Sequence, residues 1–172
     1  PEIQVTDGAT DIASGDTHDI GNTRVGNTDS VVFTIENRGT ASLNLTGTPL
    51  VALSGADAAQ FAVNPQPAAA TIAPLGSTAF TIDFTPASAG SKSVTVTIAN
   101  DDLDEDPYVF TITAAGITPE INIQEGGSDI ADGGSYDFGN ILVGSSSSPV
   151  TFTIQNIGTD TLNLTGTPRV AI

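Results

Sequence analysis

The 172-residue chain repeats itself. The segment PEIQVTDGATDIASGDTHDIGNTRVG at 1–26 aligns with PEINIQEGGSDIADGGSYDFGNILVG at 119–144, and FTIENRGTASLNLTGTPLVAL at 33–53 aligns with FTIQNIGTDTLNLTGTPRVAI at 152–172. More than half of the aligned positions are identical, with one residue inserted near Ser148–Pro149. A fixed period of about 118 residues marks a tandem array of modules. Residues 1–117 read as one complete module, and 118–172 as the N-terminal part of a second. Half of a single-core module leaves apolar faces and strand edges uncovered. The expectation is that the polypeptide continues, or that another chain completes the fragment. A start at Pro1, with no methionine and no basic or apolar leader, likewise suggests mature material or a piece of something longer.

Within a copy the hydrophobic period is two. Val31, Phe33 and Ile35 share one face while Val32, Thr34 and Glu36 share the other, and Val150, Phe152 and Ile154 repeat the pattern. The same rhythm marks Phe80, Ile82 and Phe84, then Val94, Val96 and Ile98, then Phe110, Ile112 and Ala114. One apolar and one polar face per strand is the pattern of an antiparallel sheet packed on one side. Turn residues punctuate the strands at Asn37-Arg38-Gly39, Gly47-Thr48-Pro49, Pro65-Gln66-Pro67, Pro74-Leu75-Gly76 and Pro86 to Gly90. Strands are predicted near 2–6, 17–20, 30–36, 42–53 (broken at Pro49), 61–64, 78–85, 92–99 and 108–115, with one short helical turn within 54–61. Seven or eight short strands per module predict an all-β fold, an immunoglobulin-like antiparallel β-sandwich. The stretch Ala115-Gly116-Ile117-Thr118-Pro119 leaves little linker between copies, so hinge freedom is limited and the modules are expected end to end.

Charge and missing residue types remove whole classes of chemistry. Twenty Asp and Glu against four Lys and Arg give a formal charge of −16. Nucleic-acid binding through clustered basic residues is excluded, and docking on anionic lipid is disfavoured. No apolar run approaches the length of a membrane span. With no cysteine, disulfides, thiolate nucleophiles and thiolate metal sites are absent, and the Cys–Trp–Cys core of antibody domains is ruled out.

Three segments carry a resemblance. Ser54-Gly55-Ala56-Asp57 through Phe61, Phe84-Thr85-Pro86 followed by Gly90, and Ile98-Ala99-Asn100-Asp101-Asp102 with Pro107-Tyr108 behind it resemble bacterial immunoglobulin-like repeats of the ASPM–SPD-2–Hydin (ASH) type, often found in "choice-of-anchor D" proteins. The resemblance covers essentially the whole chain. It implies a seven-stranded sandwich serving as stalk, spacer or adhesive segment in secreted or surface-attached bacterial proteins, and it carries over no catalytic residue.

The acidic run Asp101, Asp102, Asp104, Glu105 and Asp106, interrupted only by Leu103, is the candidate metal site. Crowded carboxylates repel one another, and Ca²⁺, which takes six to eight oxygens, would relieve that. The spacing is not that of an EF-hand loop. The competing reading is a solvated hairpin tip turned by Asn100 and Asp101. In this topology the loop lies at the N-terminal pole, where a bound ion could stiffen the junction to a preceding module. No other cofactor is expected.

A second acidic set, Asp7, Asp11, Asp16 and Asp19, corresponds to Glu125, Asp129, Gly134 and Asp137, and reads as loop capping. His18, the sole histidine, becomes Tyr136 in the second copy, which argues for a strand residue and against a catalytic base. Lys92, the sole lysine, reads as a solvated edge residue that discourages strand pairing; an internal Lys–Asn crosslink is the alternative. Asn44-Leu45-Thr46 and Asn163-Leu164-Thr165 are matching N-x-T sequons, most simply outward strand residues. Outward threonines such as Thr95 and Thr97 do not repeat closely enough for an ice-binding array.

No Ser–His–Asp or Cys–His arrangement repeats, and two tyrosines without tryptophan offer poor sugar platforms, so no enzyme is expected. The chain reads as a structural or adhesive repeat of an extracellular or cell-surface protein, its partners being neighbouring repeats or other copies of the chain. Two alternatives stand beside this: a filament subunit closed by strand exchange between chains, and an accessory binding module of an extracellular enzyme.

Overall fold

The computed structural model describes residues 1–171; Ile172, which ends the second matched block, lies outside the described residues. The chain divides into two compact units, Pro1–Ile117 and Thr118–Ile172.

The first unit is a two-layer β-sandwich. Its strands are β1 (Ile3–Asp7), β2 (Thr10–Asp11), β3 (Thr17–Arg24), β4 (Asp29–Asn37), β5 (Leu43–Asn44), β6 (Ala52–Ser54), β7 (Phe61–Val63), β8 (Thr71–Ile72), β9 (Ser77–Phe84), β10 (Gly90–Ile98) and β11 (Tyr108–Ile117). One sheet has the order β2-β1-β4-β9-β7, the other β3-β11-β10-β6, and β5 and β8 form a separate pair. The helical turn expected within 54–61 is a single 3₁₀ turn at Ala58–Gln60.

Period-two patterning decides which side chains enter the core. Phe33 and Ile35 from β4, Phe80, Ile82 and Phe84 from β9, Val94, Val96 and Ile98 from β10, and Phe110 and Ile112 from β11 are all buried in one cluster, while Val32 faces out. Phe33 stacks on Phe80 with ring centroids 5.4 Å apart and tilts against Phe110 at 6.1 Å. Burying a side chain of this size is worth about 1.5–3 kcal/mol, so this aromatic group dominates the sandwich.

One pairing departs from an all-antiparallel sandwich. β3 lies parallel to β11, with Thr111 opposite Thr17 and Ile117 opposite Arg24, and the register slips between Thr113 and Ala115. The chain leaves the first sheet after β2, crosses to the second, and there runs alongside the last strand in the same direction. Two polar residues at the crossover, Ser14 and Asp16, fasten it to β11: the Thr111 N–H donates to the Asp16 carbonyl at 2.8 Å and the Val109 N–H to the Ser14 hydroxyl at 3.2 Å.

The second unit repeats three strands of the first sheet, β2, β1 and β4. β12 (Ile121–Glu125) pairs antiparallel with β13 (Ser128–Ile130) on one side and β14 (Phe152–Asn156) on the other. The stretch equivalent to β3, around 135–142, forms no strand. In the first unit that strand exists by pairing with β11, whose counterpart is not among the described residues. None of the described residues of this unit is buried.

Candidate functional site

The acidic run occupies the loop between β10 and β11, and the structure gives its carboxylates separate tasks. Asp101 is clamped by Asn44: the Asn44 N–H donates to Oδ1 at 2.7 Å and its Nδ2 to Oδ2 at 2.6 Å. These bonds hold the Asp101 carboxyl below the ordinary carboxylate range. Asp102 is buried and its Oδ2 accepts the Ile3 N–H at 2.9 Å, tying the loop to the start of β1. Asp106 Oδ1 accepts the Asn100 N–H at 3.0 Å. Asn100, also buried, braces the loop from inside: its Nδ2 donates to the carbonyls of Ile98 and Glu105, and its Oδ1 accepts the Asp102 N–H at 2.8 Å.

Asp104 and Glu105 complete the set without joining the others. Burial pushes the Glu105 carboxyl up, and the neighbouring charges of Glu2, Asp102, Asp104 and Asp11 push it further. Leu103 at the tip is fully exposed. The five carboxylates proposed as calcium ligands share a loop but do not converge, and among the described residues no three His, Asp or Glu side chains are grouped to hold a metal ion. Donors from Asn44, Ile3 and Asn100 engage four oxygens of Asp101, Asp102 and Asp106 and hold these carboxylates in separate orientations. In this geometry the loop is a hydrogen-bonded closure of the N-terminal pole.

The second acidic set is equally local. Asp19 Oδ1 accepts the Gly21 N–H at 3.0 Å, and Asp137 repeats this with Gly139 at 2.8 Å. Asp16 Oδ2 accepts the Ala13 N–H, and Asp11 is an exposed residue of β2. Asp129 accepts from Asn122 and Gln124, which lower its carboxyl. Asp7 binds His18 Nε2 at 2.8 Å, and the His18 ring stands edge-on to Phe33 at 5.9 Å. Tyr136 makes the same edge contact with Phe152 at 5.2 Å, so the position is an aromatic support in both copies.

Lys92 corrects the sequence reading. It faces inward opposite Ala114, is buried, and its Nζ donates to the carbonyls of Ala89 and Gly90 at 3.3 and 3.4 Å. Those partners are backbone oxygens, not an asparagine side chain. Of the two sequons, Asn44 is committed to Asp101, while its Oδ1 accepts from Thr71 at 2.8 Å; Asn163 is exposed.

A corner device went unassigned in the sequence beyond its turn signal. Asn37 is fully buried at the end of β4. Its Oδ1 accepts the N–H groups of Glu2 and Gly39, and its Nδ2 donates to the carbonyls of Ala41 and Ile72. Asn156 repeats three of the four bonds, with Glu120, Gly158 and Asp160. Gly39 is required for close approach and not for positive φ: a Cβ there would sit 2.7 Å from the Glu2 nitrogen. Gly158 approaches the backbone of Glu120 and Thr118 in the same way.

Comparison with known proteins agrees with this architecture. Residues 13–115 match the HYDIN/CFA65/VesB-like, Ig-like domain family. A search of curated proteins found no match. Among solved structures, a protein of unknown function from Porphyromonas gingivalis W83 superposes with a TM-score of 0.51 and 18% identity, covering 66% of this chain and 46% of that one. The ASH/PapD-like domain 7 of human CEP192 aligns with a TM-score of 0.47 and 16% identity, covering 69% and 87%. The VesB protease of Vibrio cholerae aligns with a TM-score of 0.45 and 16% identity, covering 59% of this chain and 30% of that one. This chain thus spans less than half of the Porphyromonas and Vibrio proteins. At these identities the likeness concerns the fold alone. By the match over 13–115, the chain belongs to the HYDIN/CFA65/VesB-like Ig-like domain family.

Proposed function

We propose that the chain is a non-catalytic segment of a tandem Ig-like array that sets distance, as a stalk or spacer, in a secreted or surface-attached protein. The observation that carries this reading is the boundary between the units. The Val25 N–H donates to the Ile117 carbonyl at 3.0 Å within the first unit. The next residue, Thr118, belongs to the second: its N–H donates to Thr159 Oγ1 at 3.2 Å and its carbonyl accepts from Thr159 and Asp160. The second module thus begins at the residue that follows the first.

Other features support the same reading. The corner at Asn37 and Gly39 recurs at Asn156 and Gly158, so each copy fastens its own first residues before the strand begins. The charge of −16 favours solubility and discourages self-association. The resemblance to repeats of secreted bacterial proteins supports an extracellular setting. Among the described residues no helix is long and apolar enough to cross a membrane.

Small-angle scattering on chains of two, four and six full repeats tests the proposal. A spacer lengthens by about 33 Å per repeat, the span of the ten residues of β11 at 3.3–3.4 Å each. A maximum dimension that grows only with the cube root of mass would overturn it. Binding of the chain to a glycan array would favour the accessory-module reading instead.

A further inference from the structure

In the first unit, an early strand and the last strand lie side by side and run the same way. From Ser14 to Val25 the chain follows β11. The Gly15 N–H donates to the Val109 carbonyl at 2.6 Å and the Thr111 N–H to the Asp16 carbonyl at 2.8 Å. Six residue pairs follow, from Thr17 opposite Thr111 to Arg24 opposite Ile117. The Val25 N–H, bonded to the Ile117 carbonyl, closes the series. The Tyr108 hydroxyl adds a bond to the Ile12 carbonyl at 2.6 Å, just ahead of this stretch. On its other side β11 is held by β10 over nine pairs. The side chains of β3 contribute little to this attachment: of its eight residues only Thr23 is buried.

We propose that the β3–β11 ladder is a mechanical clamp, which gives the module a load-bearing function: it resists tension applied at its two ends. Such tension enters at the start of β1 and leaves at the end of β11. It draws β3 toward its Thr17 end and β11 toward its Ile117 end, in opposite directions along one axis. A parallel pair loaded in this way slides lengthwise, so its six pairs and flanking bonds must fail together. An antiparallel pair of the same two strands would be pulled from one end and would open bond by bond. A hydrogen bond is lost once it is stretched by about 1 Å, so a ladder sheared as a whole is stiff. The five pairs of β1 with β4 share the load at first. Once β1 is drawn off, the chain from Asp16 passes the whole tension to the clamp. The inference rests on the spacer reading only in that load enters at the ends of a module.

Single-molecule force spectroscopy on the whole chain tests the clamp. The chain has no cysteine, so an introduced one gives a unique point of attachment. In the first geometry, handles ahead of Pro1 and behind Ile172 load the ladder in shear. In the second, the first handle moves to Asn27→Cys, an exposed residue just past β3, and pulls the neighbouring ends Arg24 and Ile117 apart. Unfolding of the first unit is recognised by the length released, on the order of 300–400 Å at 3.3–3.6 Å per residue. The peak force is expected to be at least about twofold higher in the first geometry, because six pairs share a load that otherwise falls on one. Attachment at Thr28→Cys is expected to give the same ratio. Both cysteine chains are expected to keep the denaturant midpoint of the parent, so that the ratio reports the direction of load. Equal forces in the two geometries, or a higher force in the second, overturn the clamp. That result leaves the scattering test of the spacer untouched, and a failed scattering test leaves the force ratio standing.

Discussion

The carboxylate of Asp102 accepts the backbone N–H of Ile3 at 2.9 Å, joining residues 99 apart at a buried point where the first strand begins. Asp102→Ala leaves that N–H buried without a partner and is expected to cost the first unit about 1–3 kcal/mol. Asp102→Asn keeps an acceptor oxygen in place and is expected to cost less than half as much. Urea denaturation followed by circular dichroism measures both, and equal losses would refute the role of the acceptor.

Calcium addresses the same loop from another side. Because Asn44, Ile3 and Asn100 hold three of the carboxylates in separate orientations and no three of these side chains are grouped, a cation would have to rearrange the loop to gain its ligands. Five millimolar CaCl₂ is therefore expected to leave the melting temperature within about 1 °C of its value in EDTA. A ligand that binds only the folded state must raise it, so a clear rise would restore the metal site.

Gly39 and Asn37 make a prediction that holds in both copies. Gly39→Ala puts a methyl group against the backbone of Pro1 and Glu2, which has little freedom to yield. A loss of about 1–3 kcal/mol is expected, the usual range for overpacking. Asn37→Ala removes four hydrogen bonds from a fully buried position and is expected to cost more, about 3 kcal/mol or above. Denaturant midpoints rank the two variants, and the reverse order would mean that the asparagine network is dispensable.

The matched pair Phe33 and Phe152 separates burial from identity. Phe33→Ala opens a cavity in the aromatic centre of the first unit and is expected to cost about 3–5 kcal/mol. Phe152→Ala trims a ring that is 41% exposed and is expected to cost under about 1 kcal/mol in the same chain. Exchange protection read unit by unit distinguishes them. Comparable losses would mean that the second unit has a packed core.

Much of the first unit was legible because its strands alternate strictly: every inward residue singled out on β4, β9, β10 and β11 lies in the core, save Val31, which is partly buried. Lys92 departs from the edge role its charge suggests: the same alternation, extended two residues back from Val94, points it inward, and its long stem is buried while its tip finds carbonyls. The two-residue strands β2 and β8 and the parallel placement of β3 were not legible, since each depends on a distant partner and on no local pattern. The acidic run shows the same limit. Five carboxylates in six positions suggest an ion until the coordinates supply the donors, and those donors come from Asn44 and Ile3, far along the chain.

Tyr108 gives the pH dependence its sign. Its hydroxyl donates to the Ile12 carbonyl at 2.6 Å, and burial, aided by the nearby charges of Glu105 and Asp11, pushes its ionisation up to about 12 from the usual 10. A raised folded-state value means that the unfolded chain loses this proton first. The contribution is thus fully present below pH 10 and is lost as pH rises from 10 through 12, by on the order of 2 kcal/mol. Tyr136→Phe leaves Tyr108 as the sole tyrosine. Absorbance at the phenolate band of that variant is expected to show ionisation near pH 12, coupled to unfolding. Tyr108→Phe is expected to lower stability at neutral pH by about 1–2 kcal/mol through the orphaned Ile12 carbonyl, and to flatten the loss above pH 10. Reversible ionisation at pH 10 in the folded chain would show that the hydroxyl is open to water.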